Sequence, residues 1–166
     1  EEQGLFGSLG YVRAHRAELD SITAVIIHDM GVGKINGYSF NGRHELEKGL
    51  REAMVPLDGR DADDHSGTAF FGTDHFDFLL EGIPALVAVQ ETEDYVPVYH
   101  SSADTLDKVC VRILKDHAGI AGVTVYNIAD RPKRLGRRLS REDVQFLLED
   151  TGLDDRAPLL QCVQEL

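Results

Sequence analysis

The chain has 166 residues, 42% of them hydrophobic and 28% charged, with a formal net charge of −12; this fits one globular domain with a sizeable core and excludes general disorder. The acidic excess argues against nucleic acid or an anionic membrane as partner, because both need positive charge at the contact, while a cationic metal or a small substrate is compatible. No apolar run approaches the roughly 20 residues that cross a bilayer, so no membrane insertion is expected.

Taken in chain order, Leu9, Val12 and Leu19 among Arg and Glu predict an amphipathic helix after Gly7 and Ser8, closing near Asp20 and Ser21. Residues 22–27, Ile-Thr-Ala-Val-Ile-Ile, are rich in β-branched side chains and read as a strand buried on both faces. Tyr38 to Phe40 suggest a short strand, and residues 43–55 a helix with Leu46, Leu50 and Met54 on one face. Residues 58–67 are rich in Asp and Gly and read as a surface loop. A short helix at 76–80 ends at Gly82, and residues 83–89, Ile-Pro-Ala-Leu-Val-Ala-Val, form a second buried strand. After a ten-residue polar loop, Asp104 or Thr105 can cap a helix whose apolar stripe is Val109, Ile113, Ile120, Val123 and Ile128. Residues 131–138 are a basic run that reads as a solvated linker, and Ser140 with Asp143 opens a last helix. Cys110 and Cys162 show no metal-ligand spacing and are expected to be buried free thiols in helices.

Helix, strand, helix, strand, helix is the alternation of an α/β protein with a mixed, largely parallel sheet flanked by helices. In such sheets ligands gather beyond the carboxyl ends of the strands. Asp29 lies just past the first strand, and His100 on the loop after the second, so the two can converge at one rim. By itself Asp29 reads rather as the cap of a turn at a strand end. Its neighbour His28 is expected to face away from the rim, as successive strand residues do.

Four stretches in one order carry a resemblance: Glu1-Glu2-Gln3-Gly4-Leu5-Phe6-Gly7-Ser8, Ile27-His28-Asp29-Met30, Gly72-Thr73-Asp74-His75, and Tyr99-His100-Ser101-Ser102-Ala103-Asp104-Thr105. Together they resemble the second half of the catalytic domain of zinc exopeptidases, the family of bacterial leucyl aminopeptidases and plasma glutamate carboxypeptidase-like enzymes. The resemblance spans roughly residues 1–130; residues 131–166 are expected to be a basic linker and helical extension. It implies the three-layer sandwich of that family, present in part, and two zinc ions in the complete enzyme. It further implies Glu1 as general base and Glu2, Asp29 and His100 as zinc ligands. Asp74 would orient a ligand or meet the substrate's amino group, or else simply cap its helix. Tyr99, with Tyr95, would steady an oxyanion or merely pack.

Hydrolysis of a terminal peptide bond needs an activated water, and a pair of metal ions supplies one while polarising the carbonyl. The family's upstream His-x-Asp motif and bridging aspartate have no counterpart here. The expectation is therefore an incomplete, inactive part of a metallopeptidase acting on peptides or dipeptides, with homo-oligomerisation left open. The resemblance alone favours a secreted or periplasmic address. Two other readings stay open, a non-catalytic scaffold of the same fold and a single-zinc glutaminyl cyclase; the latter is weakened because Tyr99, not Trp, precedes His100.

Overall fold

The computed structural model describes residues 4–156, so Glu1, Glu2 and Cys162 lie outside the described residues. Its elements are α1 (Phe6–Ala14), β1 (Val25–Ile27), β2 (Ile35–Ser39), α2 (Glu47–Met54), α3 (His75–Leu80), β3 (Ala85–Gln90), α4 (Val111–Ala129) and α5 (Arg141–Thr151). The sheet runs β1-β3-β2, with β1 parallel and β2 antiparallel to β3. Helices cover both faces, so this is the mixed α/β sandwich that the alternation predicts, present in part.

β3 is the central strand, and its sequence shows why. Ala85, Leu86, Val87 and Ala88 are each at most 1% exposed, as a strand covered on both faces requires. Leu86 and Ala88 face a core built with Ile35, Tyr38, Leu46, Leu50, Met54, Ile120 and Ile128, which seats α2 and α4. On the other face, α3 packs against β3, β1, α1 and α5. There Phe76 and Leu79 meet Val144, Leu147 and Leu148 of α5, while Ile83 meets Val12 and Leu19.

The first strand differs from expectation. Only residues 25–27 are extended, and they are half-buried rather than enclosed, because among the described residues β1 pairs on one side alone. Ile22 instead ends a 3₁₀ helix, Arg16–Ser21, that follows α1. The expected helix over 43–55 appears as α2 flanked by 3₁₀ turns, with Leu46 and Leu50 fully buried. The polar loop after it runs along β2, where Ser66 N–H donates to Tyr38 O at 3.0 Å and Phe40 N–H to Ser66 O at 2.9 Å. That pairing covers a sheet edge that would otherwise present open backbone groups.

Three further expectations are corrected. α4 starts at Val111, not after Thr105: Thr105 heads only the short 3₁₀ turn Leu106–Lys108, and its hydroxyl bonds the Asp107 carboxylate rather than a backbone N–H. Cys110 is exposed at the N-cap of α4, where an extended backbone turns its side chain away from the core. The basic run is a strap, not a solvated linker. Arg131 donates to Gly49 O at 2.8 Å and to Glu52, Leu135 is 6% exposed, and Arg138 holds Glu81 and Asp20 at 2.8 Å each. The strap delivers the chain to α5, which opens with the expected capping box: Asp143 N–H donates to Ser140 Oγ at 3.1 Å, and Ser140 N–H to the Asp143 carboxylate at 3.2 Å.

Candidate metal centre at the carboxyl rim

β1 and β3 run the same way in register, Ile27 beside Val87, so their carboxyl ends open onto one rim. The chain leaves β1 through Asp29 and leaves β3 through Gln90 and Glu91, as a ligand site in an α/β sheet requires. Because α3 runs back into β3 through the turn at Gly82, its N-terminus, with Asp74, points toward the same side.

Past Asp29 the chain makes a tight loop against the end of β3. Gly31 has φ +81°, and a Cβ there would lie 2.4 Å from Cγ of the Tyr95 ring. At Gly33 a Cβ would lie 1.8 Å from Glu91 O, so only glycine allows this approach. Two buried side chains hold the loop from below. Gln90 Nε2 donates to Gly31 O at 2.9 Å and Gly33 O at 3.3 Å, and His117 Nε2 donates to Gly33 O at 2.6 Å.

His100 reaches the rim on a different support. Residues 92–101 form consecutive turns, with Val96 N–H on Thr92 O, Val98 N–H on Tyr95 O and Ser101 N–H on Val98 O. Val98 alone among them is buried, at 8% exposure. His100 has φ +51°, and its ring lies 3.9 Å from that of Tyr99, centroid to centroid. Tyr99 in turn meets Tyr95 edge-on at 5.3 Å. Since Tyr95 also covers Gly31, an unbroken aromatic contact chain joins the Asp29 loop to His100. Asp29, Tyr99 and His100 are all exposed at this rim.

His28 turns toward the α2 and α4 side, where its Nε2 lies 3.3 Å from the Tyr38 hydroxyl and its ring meets the Tyr38 ring edge-on at 5.6 Å. Desolvation first, and the nearby His117 second, push its pKa down. Burial drives the Tyr38 phenol up to about 12.

Asp74 is half-buried at the N-cap position of α3, without a side-chain bond to the helix backbone. The polar groups just past it are deeply buried instead. His75 is 0% exposed, with Nδ1 2.6 Å from the Thr73 hydroxyl and Nε2 3.1 Å from Phe70 O. A carbonyl can only accept, so His75 carries its proton on Nε2, and the Thr73 hydroxyl donates to Nδ1. Burial holds its pKa down at about 4. Asp77 accepts from the Ser8 hydroxyl at 2.5 Å, linking the first turns of α1 and α3, and burial pushes its pKa up.

Gln90, His117, His75 and Asp77 were not singled out from the sequence. His117 did carry a signal, since it falls on the stripe Ile113, Ile120, Ile128 at helical spacing, where a polar residue needs a partner. Among the described residues no three His, Cys, Asp or Glu side chains come together as a metal-binding group. Of the expected ligands, the rim presents the Asp29 carboxylate and the His100 imidazole on adjoining loops, both of them zinc donor types.

Comparison with known proteins places the chain in a family. Carboxypeptidase Q of Bos taurus is 26% identical over 137 residues, covering 82% of this chain and 29% of that protein. The Homo sapiens and Xenopus laevis proteins of the same name are 25% and 27% identical, again over 82% of this chain and 29% of theirs. The chain thus spans under a third of the length of the curated relatives it matches. Among solved structures, an aminopeptidase from Aneurinibacillus sp. strain AM-1 superposes with a TM-score of 0.56 and 27% identity, over 84% of this chain and 34% of that one. The family described as Peptidase family M28 matches residues 1–125, three quarters of the sequence and all of the rim, and the chain belongs to that family.

Proposed function

We propose that the polypeptide carrying this chain is a zinc-dependent exopeptidase that hydrolyses terminal peptide bonds or splits dipeptides, and that this chain supplies one wall of a dinuclear site. The observation that carries the reading is the meeting of the Asp29 and His100 loops at one rim through Tyr95 and Tyr99. In this reading Asp29 holds one zinc, and His100 with Glu2 holds the other, with further donors outside the described residues. When bound, the ions polarise the scissile carbonyl and lower the pKa of a water. Glu1 accepts a proton from the attacking water on a carboxylate oxygen and returns it to the leaving amine nitrogen. Tyr99, beside His100, directs its phenolic O–H at the developing oxyanion. Asp74, at the rim end of α3, receives the substrate's amino group or orients a ligand. Relatives named as carboxypeptidases and as an aminopeptidase both match, so the proposed class is exopeptidase hydrolysis of either polarity.

Elemental analysis of zinc per chain on the whole polypeptide, with dipeptide turnover, tests the reading. Two zinc ions are expected, and Glu1→Gln should abolish turnover while retaining both. One zinc would favour a cyclase, and none after zinc is supplied would favour a scaffold that keeps the motifs without the chemistry.

A further inference from the structure

The loop that leaves β1 is held from beneath by two side chains that the exopeptidase reading does not use. Gln90 closes the apolar run of β3, and a buried amide there is costly unless its hydrogen bonds are made. It is 7% exposed; its Nε2 spans two carbonyls, Gly31 O and Gly33 O, so the donor half of the amide is paired, while its Oε1 accepts from no described group. His117 is 8% exposed, on the buried stripe of α4, and reaches across 84 positions of sequence to donate to Gly33 O at 2.6 Å. The same carbonyl therefore accepts from a strand and from a helix. The backbone above is fixed as well: Glu91 O closes on Gly33, the Tyr95 ring closes on Gly31, and Glu91 N–H donates to Lys34 O at 2.9 Å. The other buried positions of α4 are Ile120, Thr124 and Ile128, and His117 is the one of this face that donates to the β1 loop.

We propose that Gln90 and His117 are positioning residues that fix the carboxylate of Asp29 for its metal by clamping the carbonyls two and four residues further on. This rests on the reading of Asp29 as a metal ligand. A ligand on a short exposed loop loses affinity if the loop samples other conformations, and groups that orient a metal ligand typically contribute 10- to 100-fold to metal affinity. The clamp transmits that effect through the backbone, with neither side chain touching metal or substrate.

The test is competitive chelator titration of zinc on the whole polypeptide, with the absorption spectrum of the cobalt-substituted protein as a second readout. His117→Leu keeps the bulk and removes the donor, whereas His117→Gln restores a side-chain N–H. Gln90→Met serves as an independent second variant, and Asp29→Asn as the reference. His117→Leu and Gln90→Met should each weaken one metal by about 10- to 100-fold and alter the spectrum of that ion alone, with His117→Gln within a few-fold of the parent. Loss of a metal in Asp29→Asn with unchanged affinity in both clamp variants would overturn the clamp and leave the ligand reading standing. Full retention of both metals in Asp29→Asn would overturn the ligand reading and the clamp with it. Equal weakening of both metals, unrelieved by His117→Gln, would assign His117 a general structural role and overturn the clamp.

Discussion

The two loops that form the rim reach it by opposite means. The Asp29 loop is short, seated on two buried donors and closed by glycines that admit no side chain. The His100 loop is longer, built from successive turns, anchored by Val98 and leaning on exposed tyrosine rings. One proposed donor is thus held by the interior and the other by the surface. The difference teaches that a two-sided site can combine a fixed wall with an adjustable one, and that changes on the two sides should differ in kind. Damage to the backbone of the first loop should cost stability as well as metal binding, and damage to the second should cost function alone in a folded protein.

The sharpest way to break the contrast is Gly33→Ala, which drives a Cβ into Glu91 O. It should cost about 3 kcal/mol or more, at the upper end for overpacking, read as a shifted urea midpoint. Acid provides a second strong test, through the turn before α3. The folded pKa of His75, about 4, lies below its ordinary 6.5, so between these values the unfolded chain binds the extra proton. Stability is complete above pH 6.5, falls by up to about 3 kcal/mol as the pH drops to 4, and falls no further on this account below that. Urea midpoints at pH 7 and pH 4.5 should converge in His75→Gln. On the adjustable wall, His100→Ala should lower turnover by more than about 100-fold, beyond the range typical of groups that only orient a ligand, while shifting stability by less than about 0.5 kcal/mol. The smallest effect on metal binding is expected from Tyr99→Leu, which removes the ring tilted against His100; loss of its proposed oxyanion contact is read separately, as turnover. A few-fold change in zinc affinity with unchanged thermal midpoint would fit, and a loss of zinc affinity as large as that measured in His100→Ala would show that this wall is as rigid as the other.

Much of this arrangement is legible along the chain. The aliphatic run of β3 announces a central strand, the spacing of Leu46, Leu50 and Met54 gives the buried face of α2, and Ser140 with Asp143 gives the start of α5. Asp29 and His100 are legible as rim residues because each follows a strand. The features that escape depend on groups distant in sequence. Residues 22–24 have the β-branched composition of a strand, yet the 3₁₀ turn before them and the single neighbour of β1 among the described residues shorten it. Arginines 131, 137 and 138 read as solvated because their acceptors, on Gly49, Asp143 and Glu81, become apparent only once the chain is folded. Gln90 and His117 are obscure for the same reason: their partners are backbone carbonyls, which carry no sequence signature.

The strap and α5 bear on the rim without reaching it. Leu147 and Leu148 roof Phe76 and Leu79, and Arg138 ties the turn after α3 to the end of the 3₁₀ helix before β1. Ending the chain at residue 130 would unroof α3 and release the helix whose first turn, through Asp77 and Ser8, steadies α1. The late segment therefore acts as a keystone: removing it should lower the temperature at which the rim comes apart, although its contacts lie on the far side of the sheet.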